Sequence, residues 1–188
     1  MSKKENPMAV RSKIALTSAL LRLLMKKEFI DIPVSEITEE AGLSRQTFYS
    51  NFAKREDILD YLITGLFERF ASRLAEDGLC RRNLIVDYLL FWDGSRKLLQ
   101  LLFARKLSYM FQAKNREFFI DPEHIPDSVF SAAEWQLPYI RASLAGVTYE
   151  LLWLWLTDER GLSVDALSSL AENLLTGRMF VPADTIQF

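Results

Sequence analysis

The chain has 188 residues, 49% hydrophobic and 12% aromatic, enough to bury a sizeable core, and a net charge of −2 excludes a uniform polycation. Its one cysteine, Cys80, excludes an internal disulfide framework and suits a reducing compartment. No apolar run approaches the roughly 20 residues of a membrane span, and the charged start MSKKENPMAV lacks a signal-peptide core, so a cytoplasmic protein without membrane contact is expected.

The first amphipathic segment runs from about Val10 to Lys27. After it, Val34, Ile37 and Ala41 recur at helical intervals, with Ser35, Glu36, Glu39 and Glu40 between them and Pro33 suited to the first helical position. Gly42 stands where a helix commonly ends in a left-handed residue. Leu43 is an apolar plug, and Ser44 is a good N-cap for a further helix from Arg45 to Phe52. Phe48 and Phe52, four apart, share its inner face, which leaves Arg45, Gln46, Thr47, Tyr49 and Ser50 outside. Two short helices about a glycine turn are the layout of a helix-turn-helix reader of DNA. The outward side chains fit that chemistry: Arg pairs with guanine O6 and N7, Gln with adenine N6 and N7, and the Thr methyl packs on a thymine methyl. Ser44, Tyr49 and Lys54 suit phosphates, as do backbone amides at the helix starts, Ser35 and Ser44.

Beyond the motif the pattern stays helical. Ile58, Leu59, Leu62, Leu66, Phe67, Phe70 and Leu74 predict one long helix from Lys54 to about Glu76, ended by Gly78. Two more helices are predicted over Arg82–Trp92 and Arg96–Arg116, the second with Ser95 as N-cap. The segment FIDPEHIPD, residues 119–127, reads as a loop, Ser128–Leu137 as a short helix. Pro138 then starts or kinks a long helix through Thr157, and a last helix spans Ser163–Leu175. No strand pattern or internal repeat appears, so the fold predicted is all-α, about nine helices in two parts. The division expected is a helix-turn-helix domain at 1–55 and a helical effector-binding and dimerisation domain at 56–188. Charge divides at the same place: residues 1–55 hold ten Lys or Arg against six Asp or Glu, net +4, and residues 56–188 hold 13 against 19, net −6.

The run AGLSRQTFYSNFAKREDIL, with the amphipathic segment before it, resembles the N-terminal domain of TetR-family transcriptional regulators. Ala41, Gly42, Leu43 and Ser44 match the family's turn, Thr47, Phe48 and Tyr49 its centre, and Phe52, Arg55 and Ile58 its hinge into a long helix. The likeness covers roughly the first 60 residues. Asn51 stands where the family commonly has His, and Pro33, where it often has Thr or Ser, removes a hydroxyl cap. The Arg-Gln-Thr-Phe-Tyr order is also similar to the branch containing dihydroxyacetone kinase regulators.

The resemblance implies a homodimeric repressor, with DNA-contacting positions at Ser35, Ser44, Arg45, Gln46, Thr47, Tyr49, Ser50, Asn51 and Lys54. It also implies that the last two long helices pair with their symmetry mates through Leu144, Val147, Leu151, Leu154, Trp155, Leu167, Leu170 and Leu174. Such a dimer sets two reading helices about one DNA turn apart on a palindromic duplex. The middle helices are then the place for a small-molecule effector. Its candidate lining is Phe67, Phe70, Tyr88, Phe91, Trp92, Phe103, Tyr109, Trp135, Tyr149 and Trp153, each of which has plain core packing as its alternative. An activator controlled by a partner protein, and a helical adaptor that has lost DNA affinity, are the other readings. No cofactor, metal site or catalytic group is expected: His124 is the only histidine, in a loop, with no second His or Cys at ligand spacing.

Overall fold

The computed structural model of the chain describes residues 6–77, 84–176, 178 and 179; Gly78 and Cys80 lie outside the described residues. Nine α-helices are found among them and no strand: α1 (Pro7–Leu24), α2 (Val34–Ala41), α3 (Arg45–Tyr49), α4 (Glu56–Asp77), α5 (Leu84–Asp93), α6 (Arg96–Ala104), α7 (Ser108–Ile120), α8 (Leu137–Thr157) and α9 (Val164–Leu175). They form two compact units. One comprises residues 1–66 and 101–111, the other 67–100 and 112–188.

In the first unit, α1 starts three residues earlier than its apolar periodicity suggests. Asn6 caps it, its side chain accepting from the Met8 amide at 3.0 Å, and Pro7 takes the first turn, where a missing N–H costs nothing. Leu16, Leu20 and Leu24 of α1 are fully buried with Ile32, Ile37 and Phe48. Two cross-helix ion pairs tie α1 and the chain after it to α2: Arg22 Nε to Glu40 at 2.5 Å, and Lys27 to Glu36 at 2.6 Å. The predicted helix over residues 96–116 is instead α6 and α7, broken at Arg105–Leu107. Lys106 adopts φ 59°, and the Leu107 amide closes the turn on Leu102 O at 2.9 Å. This is a glycine-type stop made by a lysine, at a cost of roughly 1–2 kcal/mol, so no glycine marks it in the sequence.

The second unit is built around aromatic rings. Phe67, Phe70, Tyr88, Phe91 and Trp92 stack edge-on or tilted on one another and on Phe118, with centroids 5.0–6.5 Å apart. Tyr88 and Asn115 pair their polar groups within this core. Tyr88 Oη donates to Asn115 Oδ1 at 2.7 Å, and Asn115 Nδ2 donates to Ala145 O at 2.8 Å. Burial pushes the Tyr88 phenol well above its usual pKa, so it stays a neutral donor. Arg141, also buried, donates to Phe119 O, Ile125 O and Asp127 Oδ1 and lies 5.3 Å over the Phe130 ring.

That arginine lies at a second departure from the sequence pattern. The helix predicted over 128–137 does not form and residue 137 already belongs to α8; short 3-10 turns occupy Asp127–Val129 and Glu134–Gln136, and Arg141 takes the Asp127 carboxylate and covers Phe130 in an open conformation. His124, read from sequence as a loop residue, is half-buried and stacks on Phe118 at 4.7 Å. Tyr88→Phe is expected to leave Asn115 Oδ1 buried without its donor and to lower stability by about 1–3 kcal/mol, read as a lower urea midpoint at unchanged slope.

Candidate nucleic-acid interface

The helix-turn-helix is built from α2, a glycine turn and α3. Gly42 sits at φ 64°, ψ 33°, the left-handed conformation a residue with Cβ resists, and Leu43 donates its amide to Thr38 O at 2.9 Å to close the helix end. Pro33 lies one position before the helix and supplies no side-chain cap to α2. Ser44 does cap α3: its hydroxyl accepts from the Thr47 amide at 3.0 Å and meets the Thr47 hydroxyl at 2.9 Å.

The helix predicted to reach Phe52 ends at Tyr49. Ser50 returns its hydroxyl to Gln46 O at 2.8 Å, and Asn51 donates its side-chain amide to Thr47 O at 2.7 Å. These local bonds satisfy the carbonyls a helix end leaves open and tighten the chain into a turn. Asn51, a DNA-contacting position by the resemblance, is half-buried and occupied as a cap. The turn passes to α4 through Asp57, whose carboxylate accepts from the Ala53 and Lys54 amides at 2.9 and 3.0 Å.

Phe48 is fully buried and Phe52 nearly so, their rings 6.1 Å apart, with Tyr49 edge-on to Phe48 at 5.1 Å. Burying that face leaves Arg45, Gln46, Tyr49, Ser50 and Lys54 exposed on the other, while Thr47 and Ser35 are half-exposed. The side chains of Arg45, Gln46 and Lys54 make no hydrogen bond or ion pair among the described residues. A first turn presenting a guanidinium and a carboxamide, flanked by hydroxyls and an ammonium, can donate to base edges and phosphates together.

The other residues singled out from sequence fall in several places. Phe67, Phe70, Tyr88, Phe91 and Trp92 come together in the ring cluster of the second unit, and Tyr149 is buried in that unit as well. Phe103 belongs to the first unit, its ring 5.9 Å from that of Phe111. Tyr109, Trp135 and Trp153 are exposed. Of the eight residues assigned to the dimer face, Trp155 and Leu167 are buried in their own chain. Trp155 donates to Leu162 O at 2.7 Å beneath the Arg96 guanidinium at 4.4 Å. The ring nitrogen needs that carbonyl, and this need turns Trp155 inward. Leu154, Leu170 and Leu174 are exposed by 56%, 40% and 38%, an unusual state for three leucines on neighbouring helices.

The sequence placed Arg55 only in the hinge pattern and gave no role to Arg105; long-range partners give such residues no local signature. Among the described residues no cluster of His, Cys, Asp or Glu is suited to a metal ion, and no helix is long and apolar enough to cross a membrane.

The two units and the exposed face of α3 define an all-α helix-turn-helix protein with a second helical unit. No family model matches the chain. Over 58 residues it is 40% identical to the HTH-type transcriptional regulator EthR of Mycolicibacterium smegmatis, a match covering 31% of this chain and 27% of that protein. The chain thus spans about a quarter of the length of the curated relative it matches. Among solved structures it resembles Lin0861 from Listeria innocua, with a TM-score of 0.72 at 15% identity over 95% of this chain and 97% of that one. A TetR transcriptional regulator from Streptococcus agalactiae aligns with a TM-score of 0.56 at 21% identity, covering 90% and 94% of the two chains. The dihydroxyacetone kinase operon activator DhaS aligns with a TM-score of 0.51 at 19% identity, covering 89% and 96%. The chain resembles the TetR-family transcriptional regulators and has their all-α fold.

The Arg22 guanidinium, hydrogen-bonded to Glu40, holds that carboxyl below its ordinary value. A carboxylate lowered in the folded state stabilises fully above the unfolded pKa and loses its contribution as pH falls through the lowered one. Arg22→Gln is therefore expected to flatten the acid limb of the stability profile below the usual glutamate range and leave its slope near neutrality unchanged, measured by urea unfolding across pH.

Proposed function

We propose that this protein is a sequence-specific DNA-binding transcriptional regulator, a homodimer that represses by reading a palindromic duplex and releases it when an effector favours another subunit geometry. The observation that carries this reading is the division of α3: Phe48 is buried on one side, and Arg45 and Gln46 are exposed on the other, their side chains without partners among the described residues. The 40% identity to the EthR segment supports it. Arg45 and Gln46 read bases in the major groove; Ser44, Tyr49 and Lys54 hold phosphates; Thr47, Ser50, Ser35 and Asn51 shape the contact surface. The cytoplasm is the matching compartment, and no catalytic step is assigned to the chain.

Dimerisation is supported by the outer faces of α8 and α9. Leu151, Leu154 and Leu170 line an open groove of about 410 Å³, and Leu144 and Val147 line a second of about 280 Å³. Leaving this much leucine in water is unfavourable by about 25 cal/mol per Å², which a symmetric partner recovers. In this reading the functional boundary lies near residue 55, with α4 as the element through which a change in the second part reaches α3. Release requires an effector with unequal affinity for the two geometries. The ring cluster of the second unit, with Tyr88 and Asn115 as polar groups, is its proposed site. Because the rings already pack against one another, a ligand must displace some of them. A partner protein in place of the small molecule is favoured by one observation: Trp135 and Tyr139 are each 71% exposed, and Tyr139 lines the smaller groove.

Selection of bound sequences from a random duplex library is expected to return a palindrome with half-sites about one helical turn apart. Arg45→Ala and Gln46→Ala should each relax preference at one position per half-site by about 1–3 kcal/mol, whereas Lys54→Ala should weaken all sequences alike. Unchanged preference in both of the first two variants counts against this assignment. Leu154→Glu combined with Leu170→Glu should shift the sedimenting species from dimer to monomer while leaving the helical circular dichroism intact.

A further inference from the structure

Residues 25–33, between α1 and α2, contain only one 3-10 turn, Phe29–Asp31, yet they set where the helix-turn-helix begins. Two arginines hold them from distant parts of the sequence. Arg105 donates through Nε to Leu24 O at 2.6 Å, through Nη2 to Met25 O at 3.2 Å and through Nη1 to Glu28 Oε1 at 2.6 Å. Arg55 donates through Nη1 to Ile32 O at 2.6 Å and Ile30 O at 3.0 Å, with its guanidinium 4.7 Å over the Phe29 ring. Both side chains are largely covered, at 20% exposure for Arg55 and 23% for Arg105. Both lie within the first compact unit.

Each contact answers a physical need. The last carbonyls of α1 have no partner within the helix, and a cation there also complements the negative end of the helix dipole. Ile32 is fully buried in a segment without regular pairing, where an unpaired carbonyl is costly, and the exposed Ile30 offers a second acceptor beside it. A guanidinium offers five donors in a fixed fork, so one side chain serves three acceptors; an ammonium on a flexible stem does this less well. Arg55 is turned inward although its neighbour Lys54 is exposed, so the two adjacent cations of the KRED segment have different work.

We infer that Arg55 and Arg105 form a two-sided clasp on residues 25–33 and are positioning residues for DNA reading: they touch no DNA and fix the pose of α2 and α3 through the connector. The functional half of this inference rests on the DNA-reading function proposed above. The clasp itself does not.

The test uses the full-length chain and the variants Arg55→Ala, Arg105→Ala, Arg105→Lys and the double alanine variant. Hydrogen exchange is read at the Asp31 and Ile32 amides, and duplex binding is read against salt concentration. Each alanine variant is expected to exchange about tenfold faster at these amides, the size of one charge-assisted hydrogen bond, with α8 and α9 unchanged. Affinity for the selected duplex should fall by about tenfold with an unaltered salt slope, because no phosphate contact is lost. Arg105→Lys should recover part of both effects, and it keeps the test open if an alanine variant does not fold. Unchanged exchange at the Asp31 and Ile32 amides in the double variant would overturn the clasp. A salt slope lowered by about one per arginine removed would overturn the positioning role, since that is the mark of a phosphate contact. Absence of duplex binding by the unmodified chain at low salt would overturn DNA reading and the functional half with it, leaving the clasp to the exchange result.

Discussion

A helix of five residues cannot hold itself together. Nucleation fixes several residues for a single hydrogen bond, and isolated helices in water need about 12–15 residues to persist. α3, Arg45–Tyr49, therefore exists only because its surroundings impose it. Phe48 is buried completely, Ser44 satisfies an amide at one end, and Ser50 and Asn51 satisfy carbonyls at the other. The side chains proposed to touch DNA are placed by this arrangement, since fixing Phe48 inside forces Arg45 and Gln46 outside.

The same logic extends outward from α3. Gly42 sets the angle between α2 and α3, and Asp57 caps the chain as it enters α4. Arg22–Glu40 and Lys27–Glu36 fasten α1 and its connector to α2, while Arg55 and Arg105 satisfy the connector's carbonyls. Exposed ion pairs contribute little to stability individually. Guanidinium bonds to the carbonyls of the buried Leu24 and Ile32 contribute more, because the alternative is an unpaired polar group. In the second unit the core is built of packed rings, and the Tyr88–Asn115 and Arg141 bonds keep those buried polar atoms from subtracting from its stability.

Much of this is legible in the sequence because it is local. Periodicity located α2, α4, α8 and α9 to within a few residues, and Gly42 and Ser44 announced the turn and the cap by the conformations they favour. The features that escaped are those whose cause lies elsewhere in the chain. The stop at Lys106 is a left-handed turn without glycine. The open segment at 128–136 lies against Arg141, and the occupation of Asn51 as a cap is a consequence of α3 ending early. Periodicity reports that a residue is apolar, and it cannot report which apolar face is already covered. Trp155 and Leu167 therefore read like Leu154 and Leu170, although only the latter two are exposed.

By itself, then, the sequence determined an all-α chain and the inward and outward faces of the helix-turn-helix, since both depend on spacing, turn chemistry and the burial of apolar side chains near one another. Only the tertiary structure decided which aromatics cluster, which leucines remain exposed, and that Arg55 and Arg105 turn inward on the α1–α2 connector. The two arginines reach partners 23 to 81 residues away, and no local pattern encodes a partner at that range.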